Sequence, residues 1–219
     1  MKTILFKSKL IRLFIAFLIF ASCSKDDESS TVDIPTVNYT ATNFDATFFQ
    51  TGNSTAPTID WNGDQGTFSL SAPLAGLNID SINGILSWDK TLPIGIHNLQ
   101  VIITNSAGQT VKNITLSNPL QGVFTGFIIN GNSEYLEMEF FSDGTIIVKL
   151  EDSGSPPTAY GTWTKNNTTI IANLTNPENG VQASFSGTLT IDTTAKYTGN
   201  LYSNPNLTDP LGVFEVVLH

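Results

Sequence analysis

Short runs of alternating apolar and polar residues fill the last hundred residues of the chain, and tight turns separate them. In one run Leu136, Met138 and Phe140 alternate with Glu137 and Glu139. A period of two places the apolar side chains on one face of a β-strand, and turns such as "SDG" and "KNN" favour antiparallel hairpins. The pattern predicts eight strands, at residues 122–129, 134–141, 144–151, 159–165, 168–174, 181–191, 196–202 and 212–218.

A sheet of this kind has one apolar face that must be buried. Closing eight strands into a barrel buries that face and removes the sheet edges; a flattened sandwich of two sheets is the alternative. The side chains expected inside are Leu136, Met138, Phe140, Ile146, Val148, Leu150, Phe185, Leu189, Phe214 and Leu218. Because an eight-strand barrel is just wide enough to be filled by side chains, we expect a packed interior without a cavity for a lipid or a haem. Glu137 and Glu139 are expected on the outer face, in solvent.

Two motifs in this region are similar to those of a known family. An F-x-x-D-G-T hairpin occurs at residues 140–145, and "GTW" follows at residues 161–163. These residues resemble the lipocalin-like small barrels found in bacterial surface lipoproteins. The resemblance implies an eight-strand antiparallel barrel for residues 119–219.

Residues 34–118 form an earlier strand-rich block, which ends at the Pro- and Gly-containing segment "SNPLQG". Its clearest element is "NLQVIITNSAGQTVKNITL", two runs of β-forming residues around a Gly-containing turn, which predicts a hairpin. Upstream, "GLNIDSINGILSW" and "PIGIH" resemble the Ig/cadherin-like repeat of bacterial surface proteins. The resemblance implies a seven-strand β-sandwich with Greek-key connections. We therefore expect an all-β protein with an N-terminal Ig/cadherin-like sandwich and a C-terminal barrel.

The first 22 residues have the parts of a secretion signal: a basic start, the short apolar stretch "LFIAFLIF" and small residues after it. The apolar stretch is too short to span a membrane as a permanent helix. The next residues, "FASC", resemble a bacterial lipobox, with Phe20 where Leu is usual. This resemblance implies cleavage before Cys23 and acylation of that cysteine, which is the only one in the chain.

An acidic run, "SKDDESS", follows the cysteine within residues 23–33. Its low hydrophobicity and high charge are typical of a solvated tether. The run also resembles the export signal of Bacteroidetes-type outer-membrane surface lipoproteins. That resemblance implies a protein anchored in the outer membrane by its acyl chains and facing the cell exterior.

The charge of the mature chain limits its partners. Removing residues 1–22 leaves six basic against 19 acidic residues, a formal charge of −13, and removes the only arginine. Nucleic acids are gripped by Lys and Arg, and arginine forks bind carboxylates and phosphates best. We therefore expect no nucleic-acid partner and no preference for anionic substrates.

The residue types needed for catalysis are scarce. The mature chain contains two histidines, His97 in the "GIHNL" corner and His219 at the last position, and nucleophilic catalysis needs a base beside its nucleophile. We therefore predict no enzymatic activity. The alternative is a carbohydrate-active protein that uses a carboxylate pair, for which two carboxylates would face each other about 5–9.5 Å apart across a cleft.

Calcium is the metal ion for which the sequence contains candidate ligands. Asp60, Asn62 and Asp64 in "DWNGDQG" have alternating oxygen ligands, and cadherin-like repeats often bind calcium. The segment lacks the downstream glutamate of an EF-hand, and the cadherin "DxNDN" motif is absent. A polar turn between strands explains the same residues, so calcium-binding adhesion stays an alternative.

Other candidate residues concern glycans. Trp61 stands in the same polar turn and Tyr160 ends the long loop "EDSGSPPTAY"; aromatic rings of this kind are common in binding sites. "DSI" at Ser81 and "DTT" at Thr193 resemble the short O-glycan acceptor motif of Bacteroidetes-type exported proteins. The sequence favours a cell-surface lipoprotein that binds a glycan or protein partner or serves in adhesion, with the sandwich as spacer and the barrel as the recognition or structural module.

Overall fold

The computed structural model describes residues 31–152 and 154–218. The predicted signal segment 1–22, Cys23, most of the predicted tether and His219 lie outside these residues. The described part contains seventeen strands and no helix, which confirms the all-β prediction. A compact unit spans Asp33–His219.

Nine of the strands described lie within residues 36–118 and form three small sheets. They are β1 (Thr36–Asn38), β2 (Asn43–Asp45), β3 (Gly52–Asn53), β4 (Thr58–Asp60), β5 (Thr67–Leu70), β6 (Leu77–Ile79), β7 (Leu86–Trp88), β8 (Gly95–Asn105) and β9 (Gly108–Asn118). One sheet has the order β2-β9-β8-β5, another has the order β3-β7-β6, and β1 pairs with β4. The nine strands replace the seven expected, because turns divide the first part of this segment into seven strands of two to four residues.

A shared core holds these sheets together. It includes Phe68, Leu86, Val101, Ile103 and Ile114, all at most 2 % exposed. The predicted hairpin is confirmed: β8 and β9 pair antiparallel around the turn at residues 106–107. Its buried and exposed positions alternate as the sequence predicts for a half-buried strand.

The remaining strands close into a barrel. They are β10 (Gly122–Asn130), β11 (Asn132–Phe140), β12 (Thr145–Lys149), β13 (Ala159–Asn166), β14 (Thr169–Thr175), β15 (Gln182–Ile191), β16 (Ala195–Tyr202) and β17 (Pro210–Leu218). Each strand pairs antiparallel with the next, and β17 pairs with β10. The predicted eight-strand barrel is therefore confirmed, and the flattened-sandwich alternative is wrong.

Aromatic rings fill the barrel interior. Edge contacts link Phe124 to Phe140, Phe140 to Tyr197, Tyr197 to Phe214 and Phe214 to Phe185, with ring centroids 4.7–5.8 Å apart. All ten side chains expected inside belong to or pack against this core, and Leu150, Leu189 and Leu218 are its partly buried members. The rings occupy the space that a ligand would need, which supports the expected packed interior.

Glycines let neighbouring barrel strands approach closely. A Cβ atom added at Gly161 would collide with the carbonyl oxygen of Asn173 on β14. Gly187 and Gly199 face each other across β15 and β16, where either added Cβ would meet backbone of the neighbouring strand. Such positions accept only glycine, and they permit the sharp curvature of a small barrel.

The nine-strand segment 36–118, which we call the first domain, packs against one end of the barrel, which we call the base. Phe48, Phe49 and Ile94 of the first domain belong to the same core cluster as the barrel interior. The Phe48 ring stacks on Phe124 with centroids 6.3 Å apart, and the Lys165 ammonium group donates a hydrogen bond to the carbonyl oxygen of Ile94 at 2.8 Å. A single apolar core therefore runs across the junction.

Asp33 lies at the opposite end of the first domain. The backbone of Asp33 is bonded to Asn62 and to the side chain of Asn105, the last residue of β8. Ile94, which contacts the barrel, directly precedes β8. Since β8 has eleven residues, these two points are roughly 33 Å apart along the strand.

Candidate functional site

Four large apolar side chains stand about half exposed on two neighbouring barrel strands. They are Phe127 (56 %), Ile129 (54 %), Leu211 (46 %) and Val213 (49 %). Ile129 and Val213 lie directly opposite each other across β10 and β17. Phe127 is two residues before Ile129 and therefore on the same outer face. We call these four residues the apolar wall.

The apolar wall lies towards the end of the barrel that is remote from the first domain. β10 starts at the base with Gly122 and reaches its far end at Asn130, whereas β17 starts at the far end with Pro210. The connection at Gly131 and the described residues of the connections 150–152, 154–158, 176–181 and 203–209 lie at this free end. Loops carried on a rigid scaffold are frequent recognition elements, so wall and loops form one candidate recognition surface.

A partly buried ion pair borders the apolar wall on the next strands. Tyr135 lies opposite Phe127, and its hydroxyl donates to Oε2 of Glu137 at 2.8 Å. The ammonium group of Lys149 lies 2.8 Å from Oε1 of the same carboxylate. Burial and the bond to Glu137 raise the pKa of Tyr135 to about 12, and the hydrogen bond to Glu137 raises the pKa of Lys149. Both groups therefore keep their protons at neutral pH.

The position of Glu137 corrects one expectation. Its side chain points out of the barrel but is only 5 % exposed, because it is enclosed by its hydrogen-bond and ion-pair partners and is not surrounded by solvent. Glu139 is half-buried. Both oxygens of Glu137 have internal partners, which argues against its use as half of a catalytic carboxylate pair. The absence of enzymatic activity stays a prediction.

Trp61 is less exposed than a free-standing ring in a polar turn would be. The side chain is half-buried and packs against the core of the first domain. Its ring meets Phe68 edge-on with centroids 5.5 Å apart. The ring face is thus partly used for packing, which reduces the surface that it could offer to a ligand.

The proposed calcium ligands surround this tryptophan, and their polar atoms are mostly engaged in the fold. Oδ1 of Asp60 accepts a hydrogen bond from the Asn62 backbone, and the Asn62 amide group donates to Ile34 and Thr36. Oδ2 of Asp64 accepts from a backbone N–H at 3.3 Å, while its buried Oδ1 has no hydrogen-bond partner in the described residues. These contacts are typical of a polar turn, and calcium binding stays a prediction.

The other candidate residues lie apart from one another. Tyr160 is 46 % exposed on the outer face of β13, and Ser81 and Thr193 are exposed in turns. His97 is half-buried, and its Nε2 lies 2.8 Å from the carbonyl oxygen of Pro93. His97 therefore has the structural role of fastening its own corner.

Sequence reasoning missed the apolar wall. The segment "GVFTGFIIN" of β10 contains apolar residues at both odd and even positions, so Phe124 and Ile128 point inward while Phe127 and Ile129 are exposed. An alternating strand with a single apolar face would have polar residues at the outer positions. Apolar residues at both odd and even positions of one strand are therefore the sequence signal for an exposed apolar strip.

The described residues contain neither a membrane-spanning helix nor a cluster of metal ligands. No helix there has both the length and the apolar character needed to cross a membrane. Within the same residues, His, Cys, Asp and Glu side chains do not gather in groups of three or more that could hold a metal ion.

Comparison with known proteins gives distant likenesses only. No family model matches the chain, and no curated protein matches it. A human protocadherin-24 EC1-2 structure is similar with 11 % identity and a TM-score of 0.36, over 72 % of this chain and 91 % of that one. A quinonprotein alcohol dehydrogenase-like protein from Bacteroides thetaiotaomicron is similar with 14 % identity and a TM-score of 0.30, over 75 % of this chain and 57 % of that one. Scores this low carry no argument about function, so the fold assignment rests on the strands and their pairing.

Proposed function

We propose that the protein is a non-enzymatic, lipid-anchored binding or adhesion protein of the outer membrane, which faces the cell exterior and binds a protein partner through the apolar wall. The observation that carries the proposal is the position of the wall. Its four exposed side chains cluster at the free end of the barrel, away from the first domain. Monomeric soluble proteins seldom leave such a group of large apolar side chains together on the surface, and larger patches mark contact sites.

The first domain acts as a spacer in this proposal. Asp33 is bonded to Asn105 at one end of β8, and the barrel packs beyond the other end. An acylated Cys23 would therefore hold the membrane at the start of the first domain and leave the free end of the barrel outermost. The filled barrel interior also supports recognition on the outer surface, since the core rings leave no room for a ligand inside.

The partner surface is expected to be apolar with a basic rim. Glu215 lies opposite Phe127 across β10 and β17 and therefore on the same outer face, where its carboxylate lies 3.1 Å from the Lys196 ammonium group. The expectation of a basic rim therefore rests on the formal charge of −13 on the mature chain. Complementary charge around an apolar contact steers association and selects partners.

An adhesion assay on cells that display the full-length chain tests the apolar wall. The double variant Phe127→Ser/Ile129→Ser should reduce attachment to immobilised surface proteins and to neighbouring cells by roughly ten-fold or more, since aromatic and apolar anchors dominate interfaces. The matched control is Ile96→Ser, which removes a 72 % exposed apolar side chain from the first domain. Equal attachment by the wall variant and the unchanged chain would contradict the proposal.

The membrane anchor has its own test. Mass spectrometry of the mature N-terminus should find an acylated Cys23, and Cys23→Ser should release the protein from the membrane fraction. Protease added to intact cells should cleave the unchanged protein if it faces outward. An unacylated N-terminus at another residue, or full protection from the protease, contradicts the proposed location.

A further inference from the structure

A groove of about 470 Å³ follows the junction between the first domain and the barrel base. The turn at residues 47–50 and the connection at Gln121 line it together with Val123, Glu139 and the start of the turn after β11. We call it the junction groove. Concave sites of a few hundred Å³ between domains are common places for small ligands. The groove lies at the base of the barrel, whereas the apolar wall lies towards its free end.

Polar side chains around the groove are available to a ligand. Thr47, Gln50, Gln121 and Ser142 line it, and within the described residues their side chains form no internal hydrogen bond. Glutamine amides and hydroxyl groups each donate and accept hydrogen bonds. Glu139 adds one half-buried carboxylate, which accepts.

An apolar strip lies beside these polar groups. Phe141 is half-buried, and Val123 is 38 % exposed. The fully packed Phe48 and Phe140 form the floor beneath them. A ligand in the groove would therefore meet hydrogen-bonding groups and an apolar surface together.

The turn that carries Thr47 and Gln50 is held in a strained form. Phe49 has a φ angle of 58°, which is uncommon for a bulky residue other than glycine. The Gln50 N–H donates to the Thr47 carbonyl oxygen at 3.1 Å, and the Lys90 ammonium group lies 4.9 Å from the centre of the Phe49 ring. Strained backbone of this kind persists where surrounding contacts enforce it and is frequent at ligand-binding sites. The turn is thus fixed before a ligand arrives.

The chemistry of the lining selects the ligand class. All lining residues lie in the described part of the chain, and none is Lys, Arg or His, so an anionic ligand would meet Glu139 without a compensating cation. β10 and β11 are hydrogen-bonded to each other along this side of the barrel. No free strand edge is therefore available here for a peptide to add as a further strand. Uncharged donors and acceptors beside an apolar strip fit a ligand with hydroxyl groups and C–H faces. We propose that the junction groove binds a short neutral oligosaccharide.

Binding of the full-length chain, purified in detergent, to an array of oligosaccharides tests the proposal. The probes are neutral oligomers of glucose, mannose, xylose and N-acetylglucosamine, with oligomers of uronic acids for comparison. Gln50→Ala/Gln121→Ala should weaken binding of the neutral probes by roughly ten-fold or more, because it removes two hydrogen-bonding groups from the groove. The matched control, Gln109→Ala/Gln182→Ala, removes two exposed glutamines elsewhere and should leave binding unchanged.

The outcomes separate this site from the apolar wall. Binding that survives Phe127→Ser/Ile129→Ser but is lost in the groove variant supports the junction groove, whatever the adhesion assay shows. The inference is overturned if no neutral probe binds, if uronic-acid probes bind better, or if the control variant loses as much binding as the groove variant. Calorimetric melting of each variant shows whether a loss comes from unfolding.

Discussion

The hydroxyl group of Tyr197 is enclosed by the barrel core. The side chain is 0 % exposed, and the hydroxyl lies 3.0 Å from the carbonyl oxygen of Ile170 and 3.2 Å from that of Phe185. Burial raises the pKa of this tyrosine, so it stays a neutral donor. The buried hydroxyl fixes the ring between Phe140 and Phe214.

Tyr197→Phe keeps the ring but removes the donor. We expect it to lower the free energy of unfolding by about 1 kcal/mol, the usual net contribution of a buried hydrogen bond. Urea denaturation measures the change. Tyr160→Phe, at a 46 % exposed position, is the control and should have little effect. An equal decrease in the free energy of unfolding in the two variants would show that the buried hydrogen bond adds no stability of its own.

Three carboxylates in turns should make the free energy of unfolding depend on pH. Hydrogen bonds from Ile82, from Thr91 and from Thr145 lower the pKa values of Asp80, Asp89 and Asp143, respectively. A group whose pKa is depressed on folding stabilises the native state at pH values above its unfolded pKa, about 3.9 for Asp. That stabilisation is lost as the pH falls through the native pKa.

The stability of the protein should therefore decline as the pH falls below about 4. Urea midpoints measured from neutral to acidic pH test this. The triple variant Asp80→Asn/Asp89→Asn/Asp143→Asn should be less stable at neutral pH and should show a flatter decline. A triple variant with an unchanged acid dependence would mean that other groups control it.

Among the elements, β13 illustrates how glycine permits barrel curvature. Any side chain at Gly161 would run into the backbone of β14. Gly161→Ala is therefore expected to cost about 1–3 kcal/mol, the usual range for overpacking. Gly154→Ala is the control, because its added Cβ would meet only the Asp152 side chain, at 3.3 Å. Urea denaturation should separate the two variants, and similar midpoints would mean that the strands can move apart at low cost.

The sequence predicted the barrel strands because their apolar periodicity is strong. For example, the predicted strand at 122–129 is β10 (Gly122–Asn130), and that at 196–202 is β16 (Ala195–Tyr202). Alternation sets which face of a strand is buried, and Asn- or Gly-bearing turns set where a strand ends. The buried Glu137 could not be predicted in this way, because its burial depends on partners from β11 and β12.

Side-chain contacts between segments far apart in the chain could not be predicted from the sequence either. Phe48 and Phe49 lie in an irregular stretch without strand periodicity, yet both rings belong to the barrel core cluster. The junction groove depends on the same contact, since the turn 47–50 meets β11 only in the folded chain. Long-range packing overrides local pattern at such places.

At the scale of the whole molecule, the barrel core that extends across the junction couples the two domains. Leu120 lies on the connection between them and is 1 % exposed, and Phe48 of the first domain is 2 % exposed against Phe124 of the barrel. Domains joined by a small polar contact are expected to move relative to each other. A continuous apolar junction with the Lys165 bond to Ile94 predicts a stiff unit instead, as a spacer that positions a binding surface requires.

Calorimetry of the full-length chain tests this coupling. The unchanged protein should unfold in one transition, with equal calorimetric and van't Hoff enthalpies, because the barrel core continues into Phe48, Phe49 and Ile94 of the first domain. Phe48→Ala should cost about 3–5 kcal/mol and separate the unfolding of the barrel from that of the first domain. Phe44→Ala is the control: Phe44 packs only against the core of the first domain, so its loss should lower the melting temperature without separating the domains. If Phe44→Ala splits the transition as readily as Phe48→Ala, the domains are coupled by something other than the Phe48 contact, and the junction is not the stiff element that the spacer role requires.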